Sequence, residues 1–148
     1  MAKFIFNFEQ LLNIKRKIEK QEQMNLGKAM QALSASMQKL EVLNYHQEDA
    51  MKEFQACLNQ GRIEQLEVKR LNENIKYYHQ QVIEQKELIK LNERQVDEVK
   101  ERLKKALQER KTYEILKEKA YVEYVEIEKA EEAKINDEIV SFKYKDER

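Results

Sequence analysis

From Val68 onward the apolar residues of this chain recur at alternating steps of three and four. That walk visits 18 positions and ends at Ile127. Fourteen are apolar: Val68, Leu71, Ile75, Tyr78, Val82, Ile89, Val96, Val99, Leu103, Ala106, Tyr113, Ala120, Tyr124 and Ile127. The exceptions are Gln85, Asn92, Arg110 and Lys117. A stripe of period 3.5 held in one phase over this length specifies a long α-helix in a left-handed coiled coil, not the broader face of a globular helix. The first half carries a similar stripe. Leu26, Met30, Leu33, Met37, Leu40, Asn44, Gln47, Met51, Phe54 and Leu58 share a phase, and eight of the ten are apolar. Toward the N-terminus the steps Ile18, Glu22, Leu26, Met30 are all fours, which predicts a stutter that locally unwinds the supercoil. Phe4, Phe8, Leu11 and Ile18 continue the stripe beyond it.

Between the two stripes, Leu58, Asn59, Gln60 and Gly61 read as a helix end closed by a left-handed glycine. The phase slips by one residue across this break. One uninterrupted helix in a parallel dimer would tolerate Gly61 at a cost of about 1 kcal/mol, but it would lose its seam there, whereas a hairpin requires the seam to stop. The expected fold is therefore all-α: a two-helix antiparallel coiled-coil hairpin with a longer second helix. Its predicted bounds over residues 1–148 are a first helix at about 5–59, a turn at about 60–62, a second helix at about 63–140 and a short flexible C-terminal tail, together one coiled-coil domain. A turn centred on Gly61 sets Leu40 opposite Val82, Met30 opposite Asn92 and Ile18 opposite Leu103. At ~1.5 Å per residue the first helix spans roughly 80 Å and the second roughly 115 Å. The first helix then ends opposite about residue 115, leaving roughly 25 residues of the second without a partner. A lone helix cannot bury the stripe of Ala120, Tyr124 and Ile127, so a partner is expected there.

Composition sharpens the picture. The chain has no Pro, no Trp and two Gly, and 38% of its residues are charged. So few turn formers permit one or two reversals of the chain. Disorder is disfavoured because 41% of residues are hydrophobic and fall in register. Lys+Arg (28) balance Asp+Glu (28), which argues against a nucleic-acid-binding protein. No apolar run is long enough for a transmembrane segment, and MAKFIFNFEQLL is charged too soon for a secretory signal. Cys57 stands alone, so no internal disulfide forms, in keeping with a reducing, cytoplasmic setting.

Candidate chemistry is sparse. His46 and His79 fall within a turn of each other across the expected hairpin, which admits either a metal or pH-sensitive site or two solvated flank residues. A zinc site needs three or four ligands, and no Cys joins them. No phosphate-binding glycine loop, nucleophile elbow or HExxH pattern occurs. A hairpin of two helices offers no pocket for preorganised catalysis, so an enzyme is not expected and no cofactor or metal is assigned. Gln85, Asn92, Asn44 and Gln47 on the seam read either as register-fixing polar residues or as local softness used in binding. Charge is uneven. The first 39 residues hold seven basic side chains against three acidic ones, and residues 123–138 hold seven acids against Lys129 and Lys134. The apolar start (Phe4, Ile5, Phe6, Phe8, Leu11, Leu12) suits either a cover for the second helix near residues 110–118 or a membrane-surface helix.

The opening KFIFNFEQLLNIKRKIEKQEQ resembles the start of the FliJ family of flagellar export proteins, through Phe6, Phe8, Leu11, Leu12, Arg16 and Glu19. Length, the single break and the longer second helix resemble that family as well. The resemblance implies a stalk component of the bacterial flagellar type III export apparatus, similar to the central stalk of a rotary ATPase. The homologous virulence-type secretion stalk is an alternative. Implied partners are the hexameric export ATPase, whose ring it would help assemble and stimulate, the cytoplasmic domain of the export gate, and export chaperones. The implied free state is a monomer, located in the cytoplasm and peripherally associated with the membrane-embedded apparatus. By the same resemblance the paired termini would enter the ATPase ring, which makes Phe6, Phe8, Leu11, Leu12, Arg16, Ala120, Tyr124 and Ile127 candidate ATPase contacts. The early second helix would face the gate through Ile75, His79, Val82 and Lys86. A stand-alone coiled-coil holdase or clamp is the competing reading of the residues alone.

Overall fold

The computed structural model of the protein describes residues 3–61 and 64–146. It contains two helices, α1 (Glu9–Asn59) and α2 (Gln65–Asp146). They run antiparallel, and the second is the longer. Chain contacts divide into two compact units, Glu22–Leu103 and Met1–Gln21 with Lys104–Arg148. We refer to these as the glycine-turn unit and the termini unit.

Each helix end has a local cause. The Leu12 amide donates to the Phe8 carbonyl at 2.9 Å, so α1 starts with Glu9 in its first turn, where a carboxylate suits the helix dipole. This start is later than the expected residue 5. Residues 4–7 read Phe-Ile-Phe-Asn, an alternation of period two in which Phe4 and Phe6 are half-buried and Ile5 is exposed. Alternating aromatic and β-branched residues favour extended chain over helix. At the other end of α1, the Gln60 amide reaches the Cys57 carbonyl, and Gly61 sits at φ 72°, the left-handed conformation that closes helices. Arg62 and Ile63, which bear on the expected turn and helix start, lie outside the described residues. α2 opens with the Val68 amide bonded to the Glu64 carbonyl at 3.0 Å. It continues to Asp146, past the predicted end near 140, with Lys143 and Lys145 in its last turn complementing the dipole.

In the glycine-turn unit the α2 seam falls where the heptads place it. Leu71, Val82, Ile89, Val96 and Val99 are buried, with Gln85 among them. The α1 seam differs from expectation. Leu26, Leu33, Leu40, Gln47 and Phe54 are half-buried as expected, but their partners are Ala29, Ser36, Leu43, Ala50 and Cys57. Met30, Met37, Asn44, Met51 and Leu58 are exposed instead. Both phases share the Leu line and differ by one residue, and the small residues fit opposite the large apolar side chains of α2. Ala29, Val96 and Val99 form one buried cluster, flanked by Leu26 and Leu33. This phase also removes the predicted stutter. Traced back from Ala29 and Leu26, half-buried Glu22, Glu19 and Lys15 and buried Leu12 follow in unbroken threes and fours. The seam is charged over that stretch, which is why an apolar pattern leads to Ile18, a residue left 40% exposed.

The register is shifted slightly from that of a turn centred on Gly61. Asn92 Nδ2 donates to Ser36 Oγ at 3.0 Å and to the Ala32 carbonyl, not toward Met30. Gln85 Nε2 donates to the Ser36 carbonyl at 2.8 Å, and the Ser36 hydroxyl donates to the Leu33 carbonyl. Among the described residues no buried side-chain polar atom lacks a partner. The polar layer is therefore satisfied, as a register-fixing layer must be to be tolerated.

Candidate functional site

The termini unit is built by a strap and two helix segments. Before α1, the strap lays Phe4 on α2, with its ring 5.3 Å from Tyr121 (edge-on) and 5.4 Å from Tyr124. Phe6 meets Phe8 at 5.9 Å, and Phe8 meets Tyr113 at 6.3 Å. Burial raises the Tyr124 phenol above its ordinary pKa, with a smaller contribution from Glu128. The strap thus covers part of the stripe expected to stand alone. Ala120 and Tyr124 are half-buried, whereas Ile127 is exposed and every residue from 129 to 146 is exposed.

Behind the strap, ion pairs replace apolar seam contacts. Arg110 makes a two-point contact with Glu19 (Nε–Oε2 2.6 Å, Nη2–Oε1 3.1 Å) and reaches Glu114 at 2.7 Å. The Arg110 hydrogen bonds hold the Glu19 carboxyl below its usual range, against the opposing effect of burial. Those two carboxylates in turn raise the Arg110 guanidinium pKa. Lys15 meets Glu109 at 2.9 Å, and that hydrogen bond lowers the Glu109 pKa and raises that of Lys15. Lys117 pairs with Glu9 at 2.8 Å, and Arg16 with Glu114 at 3.6 Å.

The residues expected to contact an ATPase therefore divide. Leu12 is fully buried, and Leu11, Phe6, Ala120 and Tyr124 are half-buried. Arg16 is exposed but engaged with Glu114 and Asn13. Phe8 and Ile127 keep about half their surface in water, 51% and 52%. The apolar surface this unit offers is largely elsewhere: Ile14 and Ile18 on α1, Ile115, Leu116 and Val122 on α2, then Ile135, Ile139 and Phe142 in the uncovered stretch. Ile18 was read as a seam residue, and the others were missed because a seam search discards apolar residues that lie off the seam. In a coiled coil those are the ones a partner can reach.

In the glycine-turn unit, of the residues expected at the gate, Val82 is buried and Ile75 half-buried, while His79 and Lys86 are exposed. His79 Nδ1 lies 3.3 Å from Gln47 Nε2, and His46 stacks on Tyr78 at 5.4 Å. The two histidines thus engage different neighbours. Among the described residues no three His, Cys, Asp or Glu side chains gather as metal ligands.

The chain thus carries two helices, an aromatic strap at the N-terminal end and a long exposed C-terminal stretch of α2. Against known families, the model of the flagellar FliJ protein matches residues 4–148. The chain belongs to the FliJ family. Membership makes it a component of the flagellar export apparatus, and the match spans both helices and the strap. No curated protein matches the chain, and no solved structure does. Among the described residues of this FliJ-family chain, no helix is long and apolar enough to cross a membrane.

Proposed function

We propose that this FliJ-family chain is a non-catalytic stalk of the export apparatus that binds the hexameric export ATPase through its termini unit and promotes ring assembly and hydrolysis. The observation that carries the reading is the exposed end of α2, where Ile135, Ile139 and Phe142 recur at helical spacing with 49–70% of their surface in water. Three large apolar side chains at helical spacing on a charge-rich helix end, with Val140 and Tyr144 beside them, favour a partner surface. The contact set proposed from the structure is Ile14, Ile18, Ile127, Ile135, Ile139 and Phe142, with Leu12, Tyr124 and Ala120 holding the unit together beneath. Contact with the export gate falls to His79 and Lys86, with Ile75 and Val82 supporting them from the seam. Export chaperones are further partners, and the chain sits peripherally at the membrane-embedded apparatus as a free monomer between encounters.

Hydrolysis by the purified export ATPase tests the reading. Adding the full chain should raise turnover severalfold, and a chain ending after residue 128 should keep its helicity and lose most of that effect. Stopping near residue 118 would remove Tyr121 and Tyr124, and with them the strap's seat, and so would confuse folding with docking. An ATPase that neither binds nor responds to the intact chain would overturn the proposal.

A further inference from the structure

Four residues on α1 of the glycine-turn unit, Met30, Met37, Met51 and Leu58, fall on one seven-residue line and keep 46%, 44%, 49% and 42% of their surface in water. Asn44 is the fifth member of the line. The line lies directly beside the seam, one residue on from Ala29, Ser36, Leu43, Ala50 and Cys57. His79 fixes which flank this is. It bonds Gln47, which stands one turn from both Asn44 and Met51 on α1, and Lys86 follows one heptad along α2. The opposite flank, where His46 meets Tyr78, carries Asn25, Lys39 and Glu53 on α1 and Asn74 and Gln81 on α2, and has no such apolar line.

A line of half-exposed apolar residues at heptad spacing next to a two-stranded seam is the surface on which a third helix packs. Methionine suits such a surface because its flexible thioether adapts to different partner side chains. The flanking charge is ordered. On the α2 side, the positions that border this flank opposite Met37 to Leu58, between residues 69 and 90, carry Lys69, Lys76, Lys86 and Lys90 with His79 and no carboxylate, whereas Glu93 and Asp97 continue the same two lines beside Met30. On the α1 side the border holds Glu41 and Glu48 and no lysine or arginine.

We infer that this flank is a docking groove for an amphipathic α-helix of a partner protein, seated on the methionine line with its carboxylates toward the lysines of α2. Size argues against a second copy of this chain as the occupant. Four side chains half in water present on the order of 350 Å² of apolar surface, short of the ~800 Å² per partner of a stable dimer but fitted to one helix that comes and goes. The inference rests on the export reading only for the source of that helix.

Two synthetic four-heptad peptides test it with the full chain. Both carry leucine at the seam positions, one with glutamate on both flanks and the other with lysine, and binding is read by fluorescence anisotropy at low salt. The glutamate peptide should bind at least tenfold more tightly than the lysine peptide. The double variant Met37→Glu, Met51→Glu should lose that binding more than tenfold while its melting curve stays unchanged, since neither side chain is in the seam. Lys86→Glu with Lys90→Glu should invert the preference. Equal binding of both peptides, or wild-type affinity in the methionine variant, overturns the inference. So does a concentration-dependent dimer that the methionine changes abolish in sedimentation, which would assign the flank to a second copy. Failure of the intact chain to stimulate the ATPase would leave these peptide results standing, so the two readings fail separately.

Discussion

One added methyl group acts in opposite directions at the two glycines. Neither Cβ would meet an atom within 4 Å, so space does not distinguish them. Gly27 lies within α1, where alanine should stabilise the helix by roughly 0.5–1 kcal/mol. Gly61 holds φ 72°, and alanine there should cost about 1–2 kcal/mol. Thermal melts of Gly27→Ala and Gly61→Ala should therefore move in opposite directions. Leu12 is the one large, fully buried side chain of the termini unit among the described residues. Leu12→Ala should cost about 3 kcal/mol in chemical denaturation. Tyr124 reports on the strap. Its phenol is raised above 10.0 by burial, so Phe4→Ala should return its titration toward the ordinary value, as read by NMR of the ring.

At the scale of the element, the two seams were legible to different degrees. Nearly every α2 seam position through Tyr124 was readable because Leu71, Val82, Ile89, Val96 and Val99 are large, apolar and in step. The α1 seam was half readable. Its Leu line was plain, but the other line is Ala29, Ser36, Leu43, Ala50 and Cys57, mostly small residues that carry little hydrophobic signal next to three methionines. Hydrophobicity ranks Met above Ser, whereas packing against the branched side chains of α2 rewards small volume. Gln85 and Asn92 were readable as polar residues on a seam, but their α1 partner Ser36 was not, because the expected phase put Met37 there. Gln85→Leu should leave the melting temperature unchanged or higher, because an apolar side chain replaces a buried amide. It should also loosen register, visible as broadened distance distributions between spin labels on α1 and α2 within the glycine-turn unit.

For the molecule as a whole, the two units are held by different forces. The glycine-turn unit relies on apolar burial around Ala29, Val96 and Val99, whereas the termini unit relies on Glu19 with Arg110, Lys15 with Glu109 and Lys117 with Glu9. Glu19 and Glu109 have carboxyl pKa values lowered from 4.5, so their contribution is complete above that pH and fades as pH falls through the lowered values. Lys15 is raised from 10.5, so its share is present below that value and fades as pH climbs past it. Hydrogen exchange at pH 3 to 4 should therefore show residues 9–21 and 104–117 opening before residues 22–103, and high salt at neutral pH should produce a weaker form of the same order. The balanced composition conceals this division, because a count of 28 against 28 does not say which charges lie on a seam. The functional surface was the least legible part. The residues marked for an ATPase came from the resemblance of the N-terminal block and from the stripe of Ala120, Tyr124 and Ile127, and most of them fold into contacts within the unit, where a partner reaches least.

The strap has a practical consequence for anyone attaching a label or affinity tag. Phe4 is the ring that meets Tyr121 and Tyr124, and Ile5 beside it is 78% exposed, so that part of the seat rests on a single side chain near the N-terminus. A fusion joined ahead of that ring is tethered within a few residues of Tyr121 and Tyr124, and it competes with Phe4 for them. A fusion joined beyond Asp146 follows a stretch of α2 exposed throughout, and it leaves the strap's seat undisturbed.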